Sequence, residues 1–279
     1  MNCCGMEPSM TSETNVLFPE RIGAFVLRRG QFFVTITRLI LQSLVSLISP
    51  PSLGNPAIRM VLLKQLYFTG LEAAKIIVLV AVILGTVIVS QVIGLVGGGN
   101  GSLIGKVLVW VVFLELGPLL TAMIVIARSG TAIAAELGAM KINGEIAALE
   151  RLGIDPERYL LLPRVIGAAT SVMLLTIYFV LTSFVGGFLI VSFGHHISYD
   201  QFIQGIVASL GIREVVVLMA KAAAFGLIIP LICCNAGMSV GTSATEIPQA
   251  ATRAVITSLF SIFVLDGVIT YLASLLAVA

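Results

Sequence analysis

Long stretches without a charge dominate this chain, and five of them are long enough to cross a bilayer, which takes about 20 apolar residues per helix. Ile76–Val96 holds no charge and would extend about 32 Å as a helix. Val107–Ala127 carries only Glu115, Val165–Phe193 carries none, Val215–Val240 carries Lys221, and Ala254–Ala279 carries Asp266. The third run is longer than a bilayer requires and is expected to tilt or to project beyond it. Ahead of the first run, Phe25–Ile48 is moderately apolar but interrupted by Arg28, Arg29 and Arg38. Charges at that spacing suit a helix lying in the membrane interface rather than crossing it. Ser49–Pro56, with three prolines and a glycine, reads as a linker. Gly97-Gly-Gly-Asn-Gly101 reads as a tight turn after the first run. The expected organisation is a disordered cytoplasmic tail over residues 1–20, an interfacial helix and linker over 21–56, and a membrane domain over 57–279.

Composition agrees with this pattern. Of the 279 residues, 58% are hydrophobic and 11% charged, whereas a soluble domain is about one quarter charged. The mean hydropathy is +1.09. The expected fold class is therefore an all-α polytopic membrane protein. A net charge of +2 without a basic cluster argues against a nucleic-acid partner. Lysines and arginines collect on one side. Residues 1–64, the segment between runs two and three, and Arg253 carry most of them, while the opposite side has only Lys106 and Arg213. That asymmetry puts the N-terminus in the cytoplasm and the C-terminus outside. Cys3-Cys4 and Cys233-Cys234 lack the spacing of a zinc or redox site, and adjacent His195-His196 point apart on a helix, so no metal site is expected. No Walker A sequence and no hydrolytic triad is visible, so the chain is expected to be non-catalytic and to bind no cofactor.

Candidate chemistry lies inside the runs. Glu115, Lys221 and Asp266 are charges at bilayer depth, where a charge is expensive and normally faces a protein interior or a wet cavity. Two readings stand: a polar cluster that shapes or couples a transport cavity, or a structural ion pair that fixes helix packing. Beside Glu115, Gly117 loosens the helix and Pro118 removes a backbone donor, so a kink or break is expected there. Glu72 and Lys75, three residues apart just before the first run, read as a snorkelling interfacial pair.

Between runs two and three, Ile133, Leu137, Met140, Ile146, Leu149 and Leu152 recur at helical spacing. Gly153 can end that helix in the left-handed conformation, and Asp155 with Pro156 can start another. The helix either packs on its own bundle or presents a docking surface to a cytosolic partner.

The string Glu115-Leu-Gly-Pro-Leu-Leu-Thr-Ala, the stretch Ala127-Arg-Ser-Gly-Thr-Ala-Ile-Ala-Ala-Glu-Leu-Gly-Ala-Met-Lys141, and Leu152-Gly-Ile-Asp-Pro156 with Pro163-Arg164 resemble the MlaE family of permeases. Lys64-Gln-Leu-Tyr67, Gly241-Thr-Ser, Ala251-Thr-Arg-Ala-Val255 and Leu265-Asp266 add to the likeness, which runs from about residue 60 to the end. The resemblance implies a homodimeric permease of the bacterial inner membrane that helps maintain outer-membrane lipid asymmetry. It implies an ABC ATPase partner that binds ATP and magnesium, an MCE-domain periplasmic ring and a STAS-domain regulator. It also implies phospholipid cargo moved between inner and outer membranes. On this reading the helix of residues 131–152 couples to the ATPase through Glu136, Met140, Lys141, Glu145, Leu149, Glu150 and Arg151. A lipid cavity would be lined by Leu84, Val87, Ile88, Gln91, Glu115, Leu116 and Leu119. Two positions depart from the family pattern. Leu114 stands where a basic residue is common, and Asn143-Gly144-Glu145 replaces Thr-Glu-Gln. A glycine inside the coupling helix would cost about 1 kcal/mol relative to alanine. The alternative is a proton-coupled or ATP-independent secondary transporter of an apolar solute, in which Glu115 or Asp266 would titrate.

Overall fold

A computed structural model describes residues 56–96, 101–194 and 199–278. The expected tail, the interfacial helix and linker (all but Pro56), the Cys3-Cys4 pair, Gly97–Asn100 of the turn and His195-His196 lie outside the described residues.

The described residues form helices and no strand. They comprise α1 (Pro56–Leu66), α2 (Glu72–Val96), α3 (Gly101–Leu108), α4 (Gly117–Val125), α5 (Thr131–Ile142), α6 (Glu145–Arg151), α7 (Leu162–Gly194), α8 (Tyr199–Ser209), α9 (Ile212–Met238) and α10 (Glu246–Val278). Four π-helical segments join neighbours without ending the helix: Tyr67–Leu71, Val109–Leu116 and Ile126–Gly130, with Glu157–Leu161 leading into α7. The result is five helices long and apolar enough to cross a membrane: Met60–Val96, Gly101–Ile142, Tyr159–Leu189, Ile212–Met238 and Glu246–Leu276. All five expected runs are found as helices longer than the hydrocarbon requires, although the fourth helix stops at Met238, two residues before the expected end at Val240. Span one has 37 residues, about 55 Å of helix against a core of about 30 Å.

α2 crosses α7 backbone to backbone. A Cβ at Gly85 would overlap the Ser183 carbonyl, and one at Gly186 would overlap that of Val82. Without a hydrophobic driving force between helices in lipid, such small-residue contacts let van der Waals packing hold them together. α9 packs against α5, α7 and α10, with Phe225, Ile229, Leu231 and Ile232 almost fully buried.

Three local expectations change. Gly117 and Pro118 do not break span two: Gly117 is helical, with φ −57° and ψ −60°, and the disturbance is absorbed as the π segment Val109–Leu116. The helix expected over 133–152 is two helices, α5 and α6. Gly144 separates them in the left-handed conformation (φ +75°), so it is a turn residue and the interior-glycine cost does not arise. Gly153 also has φ +75°, and the Asp155 carboxylate accepts a hydrogen bond from the Glu157 amide at 3.0 Å, as the cap pattern requires. Leu152 is exposed rather than part of the apolar face. Finally, α8 was not anticipated. It is too short to span, and it packs against α3 through Phe202, Ile206 and the buried Gly205, which lies on the Ser102 backbone.

Candidate functional site

The three intramembrane charges meet. Glu115 comes from the π segment of span two, Lys221 from α9 and Asp266 from α10. Lys221 Nζ lies 2.8 Å from Glu115 Oε2 and 2.9 Å from Asp266 Oδ1. The Lys221 ammonium donates hydrogen bonds to Glu115 Oε2 and to the Leu114 carbonyl, the latter at 2.9 Å. Its contact with Asp266 is an ion pair without hydrogen-bond geometry, so Asp266 Oδ1 has no hydrogen-bond partner among the described residues.

The proline explains the bond to Leu114. In a regular helix the amide four residues on would bond to the Leu114 carbonyl, but that position is Pro118, which has no N–H. The free acceptor points sideways, where Lys221 reaches it. A helix disturbance visible in the sequence thus becomes part of the charge cluster. Thr270, one turn beyond Asp266 on the same face of α10, donates to Glu115 Oε1 at 3.1 Å. Sequence reading missed Thr270, although its i+4 spacing from Asp266 was the signal.

The cluster is unevenly covered. The Lys221 side chain is fully buried and that of Asp266 is 12% exposed, but that of Glu115 is 39% exposed within one copy of the chain. With all three groups ionised the net charge is −1. Such a group cannot face hydrocarbon at this depth, so its open side belongs to water, to ligand or to another protein surface.

The apolar cavity candidates divide. Leu116 and Leu119, within a turn of Glu115, are half-buried. On α2, Leu84 and Ile88 are half-buried and pack against the core, whereas Val87 and Gln91 are exposed.

The coupling candidates divide as well. Glu136 pairs with Arg164 at 3.1 Å, Met140 is half-buried against the core, and the Lys141 ammonium donates to the Met238 carbonyl. All three also contact the bundle, and Glu136 and Lys141 remain exposed. Leu149 packs inward from α6, while Glu145, Glu150 and Arg151 are exposed. The outward surface of the hairpin therefore draws on both α5 and α6.

Glu72 does not pair with Lys75. It takes Arg128 of span two, whose other nitrogen donates to the Phe68 carbonyl at 2.9 Å. Sequence proximity favoured Lys75; the packing of spans one and two brings Arg128 instead. Cys233 and Cys234 are buried free thiols, with Cys233 Sγ 3.8 Å from the Ser258 hydroxyl.

Residues 62–272 match the family model described as Permease MlaE. A probable ABC transporter permease of Rickettsia typhi is 30% identical over 265 residues, covering 95% of this chain and 96% of that protein. A probable ABC transporter permease of Synechocystis sp. is 32% identical over 211 residues, 75% of this chain and 80% of that one. The chloroplastic Arabidopsis thaliana protein named TRIGALACTOSYLDIACYLGLYCEROL 1 is 31% identical over 209 residues, 75% of this chain and 60% of its own length. With five spans and this family match, the chain is a multi-pass permease subunit of the ABC-transporter type, and it belongs to the MlaE family.

Proposed function

We propose that the chain is the lipid-conducting subunit of an ATP-driven transporter that moves phospholipid between inner and outer membranes. Two copies would face one another across a shared cavity in the inner membrane, N-termini in the cytoplasm and C-termini in the periplasm. A separate ATPase would supply the energy and carry the nucleotide and magnesium. An MCE-domain ring on the periplasmic side and a STAS-domain protein are the further partners of this reading.

One observation carries it: Glu115 is held by Lys221 and Thr270 yet is 39% exposed at bilayer depth in the single chain. A second copy with a lined cavity would cover that side. The half-buried Leu116 and Leu119 would offer acyl-chain contact beside it, and Leu84, Val87, Ile88 and Gln91 would extend the lining from α2. One relative, the Arabidopsis protein, is named for a glycolipid, which favours a lipid cargo. Closure of the ATPase pair would push on α6 through Glu145, Glu150 and Arg151, which are exposed. Direction of transport would follow from the different contacts lipid makes in the two states.

The test is purification of the full chain with its genomic neighbours. An ATPase should co-elute, and mass spectrometry should find co-purified phospholipid. The double variant Glu145→Arg with Glu150→Arg should abolish co-elution while the chain stays folded. Intact co-elution in that variant would refute the coupling role of α6. Transport at full rate by the chain alone would refute the ATP-driven reading.

A further inference from the structure

A second polar site lies away from the charge cluster. Spans one and two and the start of span three enclose a cleft of about 480 Å³ at the end of the bundle that carries the α5–α6 hairpin. Arg128, on its wall, is thirteen residues along span two from Glu115, roughly 20 Å at the rise of a helix.

The walls are of two kinds. Val61, Phe68, Ile133, Met140 and Leu160 give an apolar side. Lys64, Arg128, Ser129, Glu136 and Arg164 give a polar side on which cations outnumber the acid. Glu136 is already held through Arg164 Nη2 at 3.1 Å, and Arg128 is held by Glu72. The remaining donors are unmatched. Arg164 is only 5% exposed, yet its Nη1 has no hydrogen-bond partner among the described residues. The Ser129 hydroxyl, also 5% exposed, has none either. Lys64, exposed at the edge of the cleft, forms no ion pair among the described residues.

Buried donors without acceptors are rare and costly, and each calls for an explanation. A guanidinium nitrogen, a hydroxyl and an ammonium around one space are the donor set that matches a phosphate, whose oxygens are acceptors only. The apolar wall adds that the phosphate is attached to something greasy.

We infer that this cleft binds the phosphate of an amphiphilic lipid, with the phosphate at Arg164, Ser129 and Lys64 and the first acyl carbons along Phe68 and Ile133. This site is separate from the Glu115 cluster and binds its phosphate independently of the cargo that cluster serves.

The full-length chain, purified in an uncharged detergent and stripped of lipid, is offered dioleoyl phosphatidic acid or dioleoylglycerol at equal concentration and read by native mass spectrometry. Phosphatidic acid should be retained at least tenfold better. The double variant Lys64→Gln with Ser129→Ala keeps the Arg164–Glu136 pair and should reduce that retention at least fivefold, with dioleoylglycerol unchanged and the thermal melt unaltered. Inorganic phosphate, titrated as competitor, should displace the lipid at millimolar concentration. Equal retention of the two lipids, or an unchanged preference in the folded double variant, overturns the inference. Binding of inorganic phosphate with no preference for phosphatidic acid over dioleoylglycerol also overturns the lipid assignment and leaves a site for soluble phosphate.

Discussion

Lys221→Met isolates what the charge cluster contributes to the fold. The two side chains have similar volume, so packing changes little. Its electrostatic effect is large: Glu115 and Asp266 lose the ammonium they share at 2.8 and 2.9 Å, and the Leu114 carbonyl loses its donor. Removing one partner of a buried pair costs about 3–5 kcal/mol, because the other charge stays behind unpaired. Glu115 is partly exposed and Asp266 is nearly covered, so most of the loss falls on Asp266 and the lower half of that range is expected. The triple variant Glu115→Gln, Lys221→Met, Asp266→Asn removes the orphaned charges too. It should lose only about 1 kcal/mol, the size of one forfeited hydrogen bond. Trp110 is the chain's sole tryptophan and lies five residues from Glu115 in the same π segment. Its fluorescence during unfolding in SDS-containing mixed micelles gives the stability of each variant. The reasoning fails if Lys221→Met costs under about 1 kcal/mol, or if the triple variant is as unstable as the single one.

Gly144→Ala tests the hairpin by its sign. In a helix interior the change would stabilise by about 1 kcal/mol, but at φ +75° it should destabilise by about 1–2 kcal/mol, seen as a lower thermal midpoint. Gly85→Ala places a methyl group against the Ser183 carbonyl and should cost about 1–3 kcal/mol by forcing α2 from α7. Gly94→Ala on the same helix meets nothing within 4 Å and should gain about 0.5–1 kcal/mol in the same melting assay.

Runs of uncharged residues made the five spans legible, because bilayer thickness sets their length and nothing else in the sequence is so long and so apolar. Span ends were harder. Span one continues toward the N-terminus past Lys75, Glu72 and Lys64, because those charges have somewhere to go: Glu72 meets Arg128, and Lys64 reaches the cleft. No local pattern shows a partner that lies 56 residues away. The same limit hid which residues of α5 face the bundle. Glu136 looks like a surface acid until Arg164 arrives from span three. Glu115, Lys221 and Asp266 were legible because charges at that depth must pair, yet Thr270 and the Leu114 carbonyl emerged only with the helix packing. Gly144 was misread because a periodic pattern of apolar residues continues across the turn, and periodicity cannot register a positive φ.

The continuity of span two gives the proposed mechanism its lever. One helix of 42 residues, Gly101–Ile142, passes the charge cluster and ends at the Gly144 turn that leads into α6. A loop between α6 and Glu115 would absorb a push on the hairpin, whereas an unbroken helix transmits it. Within that helix the segments Val109–Leu116 and Ile126–Gly130 are π-helical, and π-helical turns inside α-helices recur at functional sites. Moving Glu115 by one residue of register would rotate it by about 100° around the axis and away from Lys221. Lys221 would then keep Asp266 alone, and the Leu114 carbonyl would move with the helix. Pro118 matters because, by leaving that carbonyl without an intrahelical donor, it lets the disturbed turn be held by a side chain from another span rather than by its own backbone.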